Sequence, residues 1–151
     1  MHLLISGIPA TGKSTFSRWL ATERGYKRCP SSEEPDWSVF FQQIDETRSH
    51  SENVVIDCGF PVNQLSRVRD LIASGVQGWW FDGDRDAAFG AFQARVGHPA
   101  TEEAWYKQLA DIGRTWDDIQ RVFEGRILNV IRSGPVFMSN EDKWQLISSQ
   151  S

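Results

Sequence analysis

Residues 3–24 read LLISGIPATGKSTFSRWLATER, and within them Gly7, Gly12, Lys13 and Ser14 complete the spacing GxxxxGK[ST]. The apolar run from Leu3 to Ile5 has the composition of a buried strand, and Phe16, Trp19 and Leu20 fall on one face of a helix that follows. Strand, loop and helix in that order are the context in which the spacing has a mechanism. Two glycines let the backbone bend with its N–H groups pointing inward, and the helix adds the positive end of its dipole. The stretch therefore reads as a cradle for the phosphates of a nucleoside triphosphate. Lys13 is expected to reach the β- and γ-phosphates, and Ser14 to place its hydroxyl on Mg²⁺, a hard cation that shares oxygens of protein, phosphate and water. Pro9, Ala10, Thr11 and Thr15 complete the expected contacts.

The length of 151 residues suffices for one core and is short for two, which predicts a single nucleotide-binding domain over residues 1–151. Sixteen basic and 20 acidic residues give a net charge of −4, so bulk charge offers nothing to a nucleic acid or an anionic membrane. With no apolar run of spanning length and no basic leader before the first strand, the expected compartment is the cytoplasm. Cys29 and Cys58 are too few for a disulfide scaffold and lie outside zinc spacing. His2, His50 and His98 are scattered, and metal ligation is not predicted for them.

Outward from the cradle, Gly25 stops the first helix and residues 26–29 make a short edge strand halted by Pro30. Trp37, Phe40, Phe41 and Ile44 recur with a helical period behind Asp36, a candidate N-cap, and read as core before substrate contacts. Val54, Val55 and Ile56 form a buried strand ending in Asp57, at the strand edge where open α/β sheets bind ligands. Asp57 is thus a candidate partner for Mg²⁺, with a capping aspartate as the competing role. Pro61 opens a helix striped by Leu65, Val68 and Ile72, and Gly75 ends it. A strand over residues 76–81 leads through Asp82 and Asp84 to a helix with Phe89, Phe92, Val96 and Arg95.

After the breaker GHPAT, Thr101 is read as the cap of one long helix. Its stripe is Trp105, Leu109, Ile112, Trp116, Ile119 and Phe123, with Gly113 a possible bend; packing on the chain's own sheet is favoured over a coiled-coil seam. Residues 127–131 form the last clear strand, Ser133, Gly134 and Pro135 turn the chain, and a short extended piece and a helix close it. Strands alternating with helices predict an α/β fold with a parallel sheet of about five strands covered on both faces.

On GIPATGKST, WWFDGDRDAAFGAFQAR and RILNVIRSGP the chain resembles the small-molecule kinases of the P-loop NTPase superfamily, such as gluconate kinase, adenylylsulfate kinase and the kinase domain of phage polynucleotide kinase. The resemblance implies the three-layer α/β/α fold, binding of ATP and Mg²⁺, and transfer of the γ-phosphate to a small-molecule hydroxyl. It places Gly7 to Thr15 on the ATP phosphates, Asp57 beside Mg²⁺ with Ser14, and Arg95 near the lid, so that Lys13, Asp57 and Arg95 form the expected catalytic set. Asp57, Glu33 and Asp36 are candidates for the base, and Ser31 and Ser32 lie where relatives bind the acceptor. The lid region after Val96 carries no arginine, and Arg114 and Arg121 could replace one only if their helix swings inward. The chain is expected as a monomer or homodimer. The alternative to a kinase is an ATP-responsive interaction module, a dimer or partner complex whose affinity changes with nucleotide.

Overall fold

The computed structural model describes residues 1–59, 62–96, 99–132 and 136–150, with side chains at all of these except 62, 96 and 99–101. In chain order the elements are β1 (His2–Gly7), α1 (Lys13–Glu23), β2 (Lys27–Pro30), α2 (Trp37–His50), β3 (Val54–Asp57), α3 (Leu65–Ala73), β4 (Val76–Gly83), α4 (Arg85–Val96), α5 (Pro99–Arg114), α6 (Trp116–Val122), β5 (Ile127–Arg132), β6 (Val136–Phe137) and α7 (Asn140–Ser148). The strands make one sheet in the order β2-β3-β1-β4-β5-β6. The first five run parallel, and β6 adds antiparallel to β5 through Ile131 against Phe137.

The central strands are apolar at nearly every position because helices cover both faces. Leu3, Leu4, Ile5, Val54, Val55, Ile56, Trp80 and Phe81 are fully buried, and each such side chain contributes about 1.5–3 kcal/mol when removed from water. Phe16 and Leu20 of α1 pack on this sheet, as do Phe40, Phe41 and Ile44 of α2. Asp36 caps α2, its carboxylate accepting from the amides of Ser38 (2.9 Å) and Val39 (3.2 Å). Because the first five strands are parallel, the ends of β1, β2 and β3 lie together, so Gly7, Pro30 and Asp57 share one edge of the sheet.

The parallel sheet of about five strands stands, with the expected short extended piece added to it as the two-residue antiparallel β6. Several expectations are corrected. Pro61, expected to open α3, lies outside the described residues; a 3-10 turn over Val62–Gln64 precedes α3, and Leu71 is buried deeper than Ile72 in its stripe. Gly97 and His98 of the expected breaker are also outside the described residues, as are Ser133, Gly134 and Pro135. Thr101 lies inside α5, which already starts at Pro99. The single long helix is broken at Thr115, not bent at Gly113. There the Thr115 amide is shared between the Asp111 and Ile112 carbonyls (3.2 Å each), its hydroxyl also donates to Asp111 (2.8 Å), and α6 restarts at Trp116. The stripe itself is core: Trp105, Ile112, Ile119 and Phe123 are buried, and Trp80 meets Trp116 and Phe123 edge to face.

Candidate functional site

The loop between β1 and α1 is built by three left-handed or extended-positive backbone positions, Gly7 (φ 150°), Ala10 (φ 60°) and Gly12 (φ 77°). Gly7 is required twice over. A Cβ there would lie 2.2 Å from the Phe81 carbonyl oxygen, and the neighbouring Ile8 amide donates to that same oxygen (3.1 Å). The loop is thereby pinned to β4. A non-glycine at positive φ, such as Ala10, stores strain of about 1–3 kcal/mol, a feature of ligand clamps. Gly12 caps α1 without any side-chain bond to its first amides, so the anion-attracting end of the helix faces the groove uncovered.

Thr11 is fully buried, and its hydroxyl donates to the Ile8 carbonyl (2.9 Å). That side chain shapes the loop, which leaves only its backbone for a phosphate. Lys13 folds back over the loop, donating to the Ile8 carbonyl (2.7 Å) and, at 3.5 Å, to that of Gly7. Burial pulls its ammonium down to about 8; Asp57 pushes it back up, and Arg95 lowers it further. Two charges of the expected site are therefore felt at this amine, one of each sign.

Asp57 ends β3 and is buried, and its Oδ2 is already engaged. It accepts from Arg28 (2.6 Å) of β2 and from the Ser17 hydroxyl (3.0 Å) of α1, while Arg28 Nε donates to Ser17 Oγ (2.7 Å). This triad joins three elements beneath the cradle. Neither Arg28 nor Ser17 was singled out from sequence, since only the register Arg28 opposite Val55 and Pro30 opposite Asp57 brings them together.

One groove is lined by residues 9–15, Ser31, Ser32, Asp57, Gly59, Arg95 and Gln108. Lys13, Ser14, Asp57 and Arg95 thus stand around the same space. Ser31 is fixed there because its Oγ accepts from the Gly59 amide (2.9 Å). Glu33 and Asp36 are exposed and do not line the groove, and the Asp36 carboxylate is taken up by capping α2. Arg114 pairs with Asp111 and Arg121 with Asp118 (3.3 Å), both away from the groove. Gln108 of α5 was not foreseen. Cys29 and Cys58 are buried free thiols, and burial with Asp57 alongside pushes Cys58 up to about 12.

Along the same groove Ala10, Gly12, Thr15 and Arg95 adjoin a second wall made by the start of α7 and the residues before it. Lys143 stands in that wall, another residue that sequence reasoning passed over. Its signal was present: Lys143 and Ile147 are four apart on α7, so the lysine occupies a core position of the helix.

No family model and no curated protein matches the sequence. Solved structures do match. A gluconokinase from Sinorhizobium meliloti 1021 aligns over 99% of this chain and 97% of its own, at 17% identity and a TM-score of 0.59. A shikimate kinase from Bacteroides thetaiotaomicron aligns over 99% and 93%, at 16% identity and a TM-score of 0.55. The fold is that of the P-loop small-molecule kinases. In this kinase fold the cradle, Asp57 and the loop after β2 meet at the carboxyl ends of β1, β3 and β2, where a doubly wound sheet places its ligand.

Proposed function

We propose that this chain binds ATP with Mg²⁺ and moves the γ-phosphoryl group to a hydroxyl of a small molecule, acting as one domain over residues 1–151 in the cytoplasm. The observation that carries the proposal is the cradle, strained at Ala10 and turned at Gly12, opening on a groove that also holds Lys13, Asp57 and Arg95. Backbone amides of residues 9–15 grip the phosphates. Lys13 leaves the Ile8 carbonyl for the transferring phosphate, whose developing charge its ammonium and Arg95 offset from two sides.

The residues fit Mg²⁺ in the manner of a cation held chiefly by phosphate and water. Among the described residues there is no cluster of three acidic, histidine or cysteine side chains for a metal. Ser14 Oγ and the Asp57 oxygen not bonded to Arg28 provide one donor each on the groove wall. When bound, the ion neutralises phosphate charge. That Asp57 oxygen either supports the ion or takes the proton of the acceptor hydroxyl, not both; Asp57 lines the groove, and Glu33 and Asp36 do not. Ser31, Ser32 and Gln108 offer neutral hydrogen bonds to the acceptor.

Incubation with ATP, Mg²⁺ and a panel of polyols and sugar acids is expected to release ADP only with a suitable acceptor. Acceptor-independent release, or none with any acceptor, would overturn the transferase. The second reading, an ATP-responsive interaction module, is favoured by one observation: among the described residues Arg95 is the only arginine lining the groove. It predicts a self- or partner association whose affinity changes with ATP, measured by analytical ultracentrifugation. No helix among the described residues is long and apolar enough to cross a membrane.

A further inference from the structure

Past Gly12 a second cavity adjoins the groove along the C-terminal segment, walled by some of the same residues. Ala10, Gly12, Thr15 and Arg95 line both, whereas Asp57 lines only the cradle end, and Phe137 and Lys143 only the far end. Lys143 is 3% exposed, with its ammonium 5.4 Å from the Phe81 ring centre and 5.8 Å from that of Phe16. No described residue gives Nζ a hydrogen bond or an ion pair. The stem of Lys143 is buried while the ammonium tip keeps an edge on the cavity; holding that tip with little water and no anion is costly, and ring faces return only part of the cost. Methionine or leucine would fill the space without the penalty.

Where the amine stands gives the reason for a charge. A Cβ on Gly12 would come within 3.1 Å of Nζ, so the amine sits against the backbone at which α1 begins. Burial draws it down to about 8, and no carboxylate offsets this; an arriving anion would return it to full charge. The order along the groove then fixes which anion. With the transferring phosphate between Lys13 and Asp57, a chain of phosphates runs past Gly12 and Thr15, and its nucleoside end reaches Lys143.

We propose that Lys143 is a nucleotide-binding residue that pairs with the phosphate attached to the ribose, supplying from α7 a positive charge to the cavity that Arg95 also lines. The inference rests on the ATP-site reading above. Its test is calorimetry of ATP, ADP and AMP with Mg²⁺ on the whole chain, as wild type, Lys143→Met and Lys13→Met, with thermal midpoints measured without nucleotide. Lys143→Met is expected to weaken all three nucleotides by a similar factor of about tenfold, the size of one charged hydrogen bond, with a midpoint at or above that of wild type. Lys13→Met is expected to spare AMP relative to ATP. A folded Lys143→Met variant with unchanged affinity, or one that does not fold, makes Lys143 a packing residue and overturns the inference while the ATP reading stands. Wild type that binds none of the three removes both.

Discussion

Two lysines mark the ends of the groove and its adjoining cavity, and they are held in opposite ways. Lys13 rests on the Ile8 carbonyl of its own loop, whereas Lys143 caps the Phe16–Phe81 ring pair with no acceptor among the described residues. Burial draws both down to about 8, with Asp57 resisting the shift at Lys13 alone. The cradle end is preorganised by a few successive residues and their contact with β4. The far end exists only when α7 docks on Phe16 and Phe81. A ligand that spans both would couple a local motif to the packing of the C-terminal helix.

The largest expected effect breaks the preorganised end. Gly7→Ala forces a Cβ into the Phe81 backbone at a φ that disfavours side chains, and should cost about 3 kcal/mol or more in urea unfolding. A variant as stable as wild type would show that the loop does not depend on β4. Next, Arg28→Met leaves the buried Asp57 carboxylate without its cation. The loss expected is about 3 kcal/mol, and adding Asp57→Asn should recover much of it; no recovery would mean that Arg28 acts through packing alone.

Lys13→Met sharpens the comparison of the two ends, because ATP affinity should fall about 100-fold against about tenfold at Lys143. Equal losses would erase the distinction between them. The shared shift makes a pH prediction. Below about pH 8 both lysines are charged whether the chain is folded or unfolded; between about 8 and the ordinary lysine value of 10.5 the unfolded chain holds more protons. Stability without nucleotide should therefore rise with pH across that window, and ATP affinity should fall as the amines lose the protons that the phosphates require. Calorimetry in buffers of different ionisation enthalpy should show proton uptake on binding near pH 8.5. The smallest effect belongs to the far end alone: Ser139 caps α7 by accepting from the Asp142 amide (3.1 Å), and Ser139→Ala should lower stability by about 1 kcal/mol.

Legibility in the sequence followed the range of the interactions. The spacing Gly7, Gly12, Lys13, Ser14 announced the cradle, the period of α2 its buried face and the apolar run of β3 its burial, because those signals sit within one element. The break at Thr115 escaped notice since no proline or glycine stands at that position; there the amide is shared between the Asp111 and Ile112 carbonyls. Thr11 was read as a backbone or side-chain contact to phosphate; its hydroxyl turns inward to Ile8, which leaves the backbone for that role. Arg28, Gln108 and Lys143 escaped for a common reason: each belongs to an element far along the chain from the one it serves.

By itself the chain of residues determined the bend that presents amides to a phosphate, the order of strands and helices, and the placing of Asp57 at a strand end. Backbone conformation and hydrophobic period are local properties, written in neighbouring residues. Only tertiary structure decided that Arg28 and Ser17 hold Asp57, that Arg95 faces Lys13, and that a lysine from α7 stands against Gly12. Sheet register and helix docking set those meetings, and both depend on how distant side chains fill one core.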